Sequence, residues 1–471
     1  MRVVSGRGGI VYRMALSYIK EWKDRVTRKP LVIRGARQVG KSFLVRLAAR
    51  ESFANILEIN FERMPDVASL FTSTSPRTIL PLLEAKFNAS IEPGKTLLFL
   101  DEIQAAPEVF AALRYFQEEL PGLHIIAAGS LLEFVLQEHS FPMPVGRIEY
   151  MHLGPMTFEE FLLASGREKL QQWLSGFTMG DSVPEGLHQE LLGLVRQYCI
   201  VGGMPEAVAV FMKNGSYQEC ERVQQTILST YRDDFSKYST KAEHRRIEKI
   251  FSAIPRLVGR KFMFSHVDRE ERSRELGVAL QLLCLARVTH QIKHSNGNGV
   301  PLGAEADDRM FKVLFLDVGL LCRSCGLRVL DVEKTADLIL VNNGAVCEQL
   351  VGQHLLMSGA FYEDPTLHCW MRDRPNSSAE VDYLMTIGSH VIPVEVKAGA
   401  TGRLKSLHLF LSEKNRSFGL RINGDTPSLL DTQTAQVGAE AKPFRLLSLP
   451  FYMLGQARRL CSDTLAVNPI C

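Results

Sequence analysis

The sequence predicts an α/β protein with three regions. These are a parallel three-layer sheet at the N-terminal end, a helical middle with a winged-helix-like segment, and a second α/β unit at the C-terminal end. Three observations predict it. Short apolar runs alternate with amphipathic stretches over residues 11–155, the pattern of a parallel sheet covered by helices. From about 156 to 260, apolar residues recur at helical spacing. Strand-like runs return after about residue 340. A chain of 471 residues exceeds one ordinary core, so two or three domains are expected, placed here at 1–155, 156–330 and 331–471.

In chain order, residues 11–29 read as an amphipathic helix. Leu31–Arg34 is a short apolar strand, followed by a Gly-rich turn and a helical stretch, Ser42–Arg50. Ile56–Phe61, Thr96–Leu100 and His124–Ala128 are the next strands, with helical segments between them. Phe158–Ala164, Gln189–Tyr198 and Tyr217–Tyr231 are helical, interrupted by the turn Gly202-Gly203-Met204-Pro205. Leu276–Ala286, then Val288–Ile292, a turn at Asn296–Gly299 and Lys312–Leu316 follow the order of a winged helix. A helix, Ala345–Met357, precedes strands at His368–Arg372, Val381–Ile387 and Val391–Lys397.

Hydrophobic residues make up 46% and charged residues 23%, which fits a globular protein. Lys plus Arg total 55 and Asp plus Glu 52, a net charge of +3 that neither demands nor excludes nucleic acid. No apolar run reaches the roughly 18 residues of a membrane span. The first residues, MRVVSGRGGIVYRM, lack the apolar core of a secretory signal. Of nine cysteines, Cys322 and Cys325 form a C-x2-C with no second pair at zinc-site spacing. Free thiols in a cytoplasmic, reducing setting are expected.

Gly35-Ala36-Arg37-Gln38-Val39-Gly40-Lys41-Ser42 matches the phosphate-loop pattern in full, with a strand entering and a helix leaving. Glycine lets the loop wrap closely, so that backbone N–H groups and the helix N-terminus face phosphate oxygens. Lys41 is placed to bridge the β- and γ-phosphates of ATP, and the Ser42 hydroxyl to ligate Mg²⁺. Thr96–Leu100 then ends in Asp101-Glu102. Asp101 is the expected second Mg²⁺ group, and Glu102 the general base on the attacking water. An acidic pair at this point favours hydrolysis over nucleotide binding alone.

The next strand ends at Gly129-Ser130, where a polar side chain either senses the γ-phosphate or caps the following helix. Gly146-Arg147 follows a Pro-containing loop. Arg147 is either an arginine finger supplied to a neighbouring subunit or one half of a surface ion pair. The first reading implies ATP sites at subunit interfaces.

Near the C-terminus, alternation puts Glu380 and Asp382 on one face of a strand, and Glu395 and Lys397 on one face of the next. The Gly388-Ser389 turn suits a hairpin. Carboxylates from adjacent strands can share a divalent cation, beside which a lysine positions or deprotonates water. Glu348 on the preceding helix can complete such a site. The alternative is a charged, exposed strand face, but the run Val391-Ile392-Pro393-Val394 is apolar, and charges buried beside it need a reason.

Taken together the motifs resemble the prokaryotic AAA+ ATPases that couple an AAA_14-type domain to a C-terminal domain of unknown function, DUF4143. The resemblance spans roughly residues 15–450. It rests on GARQVGKS (35–42), LLFLDEIQ (97–104), AAGSLLEF (127–134), GRIEYMHLGPMTFEEFL (146–162) and Gly202–Glu206. Further markers are KVLFLDVGLL (312–321), the helix with Gly344 and Glu348, AEVDYLM (379–385) and VIPVEVKAG (391–399). It implies an AAA+ core and a C-terminal fold of the restriction-endonuclease, or PD-(D/E)xK, type. Asp382, Glu395 and Lys397 fall on that motif, and Glu348 is its helix acid. One departure is the charge-rich segment Asp268–Arg274, where the winged helix is expected.

The resemblance further implies DNA as partner and a homo-oligomeric ring such as a hexamer, using ATP and Mg²⁺ with no membrane involved. Two other readings stand beside a DNA motor or loader. One is a protein-remodelling or signalling ATPase with a partner-binding C-terminal module. The other is an ATP-gated nuclease of defence or repair.

Overall fold

The computed structural model describes residues 12–73, 75–130, 132, 146–236, 240–327, 344–374, 377–398, 404–434 and 441–467. The N-terminal MRVVSGRGGIV, the Pro-containing loop before Gly146, part of AAGSLLEF and Gly399 lie outside the described residues.

Five parallel strands form the first sheet: β1 (Leu31–Arg34), β2 (Asn55–Asn60), β3 (Thr96–Asp101), β4 (His124–Ala128) and β5 (Glu149–His152), in the order β2-β3-β4-β1-β5. Alternation along β3 explains why it is buried on both faces. Leu97 and Phe99 join the core under α1 (Ala15–Asp24) and α2 (Lys41–Ser52), and Leu98 and Leu100 join the core under α3 (Pro76–Phe87) and α4 (Pro107–Glu119). The result is the expected three layers.

The middle is helical: α5 (Phe158–Ala164), α6 (Glu168–Gly176), α7 (Glu185–Val201), α8 (Pro205–Asn214), α9 (Tyr217–Phe235), α10 (Lys241–Leu257) and α11 (Ser273–Leu285). A capping box starts α5, with Thr157 and Glu160, and another starts α10, with Thr240 and Glu243. Then come β6 (Thr289–Ser295), β7 (Ala306–Phe315), α12 (Val318–Ser324), α13 (Gly344–Leu356), β8 (His368–Arg374), β9 (Ser377–Ile387), β10 (His390–Val396), α14 (Lys405–Glu413), β11 (Phe418–Asn423), β12 (Ser428–Gln433), β13 (Pro443–Pro450) and α15 (Ala457–Val467). The last eight strands form one mixed sheet, β12-β13-β11-β10-β9-β8-β6-β7.

One expectation needs correction. The order α10, α11, β6–β7 is that of a winged helix, but its hairpin is no separate wing. β6 pairs in parallel with β8 at Lys293↔His368 and His294↔Cys369, so the C-terminal sheet begins well before residue 331. Each half-exposed hairpin edge has unmet backbone groups, and joining a neighbouring sheet satisfies them. One apolar cluster also runs from α1 and α2 through the helical middle to β7, α13 and β11, so the regions share a core. Among the described residues no helix is long and apolar enough to cross a membrane.

Candidate nucleotide site and C-terminal acidic cluster

The phosphate loop leaves β1 and enters α2. Gly40 has a left-handed φ of 91°, and a Cβ at Gly35 would stand 2.2 Å from the Leu153 carbonyl oxygen, so both positions need glycine. The loop is braced from behind. Arg13, buried, donates to the Val39 carbonyl at 2.7 Å, to the Gly154 carbonyl at 2.8 Å and to Glu160 at 3.1 Å. Pro205 of the Gly-Gly-Met-Pro turn packs on Gly40, its Cγ 3.3 Å from where a Cβ would stand.

Lys41 folds back on its own loop, donating to the Gly35 and Ala36 carbonyls at 2.8 and 2.9 Å. Burial pushes its ammonium down to about 8, against the pull of Glu102 and Asp101. Phosphates bind the ammonium form, so above pH 8 binding must first recapture a proton. Nucleotide affinity is therefore expected to fall by up to about tenfold per pH unit above that point. Calorimetric titrations across pH check this: Lys41→Arg should flatten the profile, and a flat profile with Lys41 in place refutes it.

The Ser42 hydroxyl donates to both Asp101 carboxylate oxygens, at 3.1 and 3.0 Å. Asn60, directly opposite Asp101 on β2, donates to it at 3.3 Å. Burial, aided by the Glu102 charge, raises the Asp101 pKa, while the Ser42 and Asn60 bonds lower it. Glu102 sits in a left-handed conformation, φ 51°, at the end of β3. Its Oε2 accepts from Gln104 Nε2 at 2.7 Å and from the Ser130 hydroxyl and N–H at 3.3 and 3.4 Å. Ser130 thus contacts the carboxylate expected to act as base. Gly129 leaves room for Gln104, whose Oε1 would lie 2.3 Å from a Cβ there.

Arg147 lies elsewhere. β5 pairs with β1 at Glu149↔Leu31, so Arg147 precedes the strand at the end of the sheet opposite the phosphate loop, roughly 15–20 Å along the strands. Its side chain is 47% exposed and meets Glu118 of α4 at 2.8 Å.

Sequence reasoning named Arg37 within the loop but missed what holds it: Asp234 of α9 pairs with its guanidinium at 2.8 Å, and the Tyr231 hydroxyl donates to its carbonyl at 2.7 Å. The register of β2 was a usable signal for Asn60. Nothing local marked Asp234, which is 197 residues away.

At the C-terminal end, Glu348 of α13 meets Glu380 and Asp382 of β9, with carboxylate oxygens within 4.8 Å of one another. Glu395 is not in that trio. Its Oε1 accepts from Lys397 at 2.7 Å, and its buried Oε2 has no hydrogen-bond partner. The trio holds a residue that the sequence reading did not single out. Lys312 of β7, 1% exposed, places its ammonium 2.9 Å from Glu348, 3.4 Å from Asp382 and in contact with Glu380. Burial alone would lower the Lys312 pKa, but Glu348, Asp382 and Glu380 hold it well above its usual value. Burial pushes Glu348 up to about 8 and Glu395 up to about 7, with Lys312 and Lys397 respectively opposing.

Known proteins add the following. Residues 27–162 match the family described as an AAA domain (AAA_14), 192–331 a domain of unknown function (DUF8612), and 343–432 another (DUF4143). No curated protein matches the chain. Solved structures with some likeness include the Aeropyrum pernix ORC2 protein in ADPNP and ADP complexes, at 14% identity, 71% of this chain, 96% of that one and a TM-score of 0.31. The Aeropyrum pernix ORC1 protein in complex with DNA gives 11%, 68%, 94% and 0.30. The Thermotoga maritima RuvB Holliday junction branch migration motor gives 14%, 59%, 87% and 0.25. The complete phosphate loop and the acidic strand end beside it fall within residues 27–162, the stretch that matches the AAA domain, which supports ATPase activity there.

Proposed function

We propose that the chain is an oligomeric ATPase that acts on DNA, with Mg²⁺ at its nucleotide site and a nuclease-like C-terminal domain of PD-(D/E)xK type that holds DNA. The observation that carries the DNA reading is the charge-rich segment before α11. Two of its acids pair with α10, Asp268 with Lys249 at 2.7 Å and Glu271 with Arg246 at 2.9 Å, as does Glu275 of α11 with Arg246 at 2.7 Å, while Glu270 is exposed. Its arginines, Arg269, Arg272 and Arg274, are exposed at the entry to α11. In a helix–helix–hairpin order this presents guanidinium groups where backbone phosphates can meet them.

At the nucleotide site the residues fit Mg²⁺. The Ser42 hydroxyl and Asp101 carboxylate stand together, and the ion, once held there, would neutralise phosphate charge. Lys41 and the loop N–H groups bind phosphates, and Glu102 takes the proton of the attacking water. Arg147 stands at the end of the sheet away from its own phosphate loop, in a surface ion pair with Glu118, and it would act on a neighbour's site in a ring only by exchanging that partner for phosphate.

The test is ATP turnover with and without duplex, single-stranded and branched DNA, for the native chain and Lys41→Ala. Stimulation by one DNA class, lost in Lys41→Ala, supports the reading. A rate indifferent to every DNA, with none bound, overturns it in favour of a protein-remodelling role.

A further inference from the structure

The PD-(D/E)xK resemblance implies a divalent cation among Glu348, Asp382 and Glu395, and the residues present do not fit one. Glu348, Glu380 and Asp382 already surround an ammonium, that of Lys312. Two further oxygens are engaged as well. Asp382 Oδ2 accepts the Val396 N–H at 2.8 Å, and Glu395 Oε1 accepts Lys397 at 2.7 Å. Of the Asp382 and Glu395 oxygens, only Glu395 Oε2 is left without a partner. A divalent cation is held by several anionic oxygens at once, and here each of the three clustered carboxylates already gives an oxygen to the Lys312 ammonium.

Lys312 is committed to this place by packing. It stands in the apolar run Phe311–Phe315, among the largest fully buried side chains of the molecule. Its ring neighbour Tyr383 is also fully buried and donates its hydroxyl to the Glu348 carbonyl at 2.7 Å. A cation in such surroundings is costly unless it is paired, and here three carboxylates pair it.

We propose that Lys312 is the resident cation of the C-terminal acidic cluster, a tethered ammonium where a metal nuclease would carry its ion, so that this cluster does not take up a divalent cation. The proposal rests on the nuclease-like reading of the domain's fold but not on the DNA reading. The Lys312 ammonium arrives from β7, the hairpin strand that closes the eight-stranded sheet. It therefore also ties the DUF8612 region to the DUF4143 domain through one ion cluster.

The test is Mn²⁺ binding, followed by electron paramagnetic resonance on the full chain without nucleotide or DNA. Asp101→Asn is used throughout to silence the nucleotide-site metal. With Lys312 in place no stoichiometric Mn²⁺ is expected. Lys312→Ala and the milder Lys312→Gln should each gain about one Mn²⁺ per chain, lost again on adding Asp382→Asn, and Mn²⁺ should raise their melting temperature. Mn²⁺ bound with Lys312 intact and lost in Glu348→Gln overturns the proposal, a measurement that needs no lysine variant to fold. Folded Lys312 variants that gain no Mn²⁺ overturn it equally. Since neither readout involves DNA, failure here is distinct from failure of the DNA reading.

Discussion

Glu102→Gln is expected to lower ATP turnover by about 10²–10⁴-fold, the range of a lost general base, while nucleotide binding persists. The carboxylate stands at the end of the strand that carries Asp101, in a left-handed conformation that a non-glycine residue adopts at some cost. That cost is borne because the side chain is anchored by Gln104 and Ser130. Glutamine keeps the length and an oxygen that can accept from Gln104 and Ser130, but it cannot take a proton from water. Phosphate release measured beside equilibrium binding of a fluorescent ATP analogue separates the two effects. A turnover near that of the native chain removes Glu102 from the base role. Loss of binding in parallel would show that the substitution disturbed the strand end and not the chemistry.

Asp317→Ala is expected to destabilise the chain by about 2–6 kcal/mol, from two buried N–H groups left unsatisfied at roughly 1–3 kcal/mol each. Asp317 is fully buried, caps α12 by accepting the Leu320 N–H at 3.0 Å, and accepts the Gly203 N–H at 2.6 Å. The second bond gives the substitution reach. Gly203 also accepts the Met156 N–H at 2.7 Å, and two residues on, Pro205 packs on Gly40 of the phosphate loop. Nucleotide affinity should therefore weaken along with stability. Thermal or urea unfolding with and without nucleotide checks both. Asp317→Asn, which keeps an accepting oxygen, should lose less of each. An Asp317→Ala chain as stable as the native one would mean that water replaces the carboxylate in that cavity.

The sequence by itself determined what local pattern can carry. The phosphate loop was legible because its chemistry is written in eight consecutive residues, and β3 because an apolar run ending in two acids is a short-range signal. The helices of the middle followed from apolar spacing, and the β9–β10 hairpin from alternation about Gly388. The same alternation placed Glu380 and Asp382 on one face. Tertiary structure decided the rest. Arg37 meets Asp234, and Lys312 meets Asp382, across 197 and 70 residues. Lys312 was visible as one charge in an apolar strand, yet which acids answer it depends on how β7, α13 and β9 pack. Whether the β6–β7 hairpin stands alone or extends a sheet likewise depends on an edge elsewhere offering free backbone groups. Period and motif report what a residue's neighbours in the chain require. Ion pairs and sheet order report which distant surfaces come to lie together, and no local spacing encodes that.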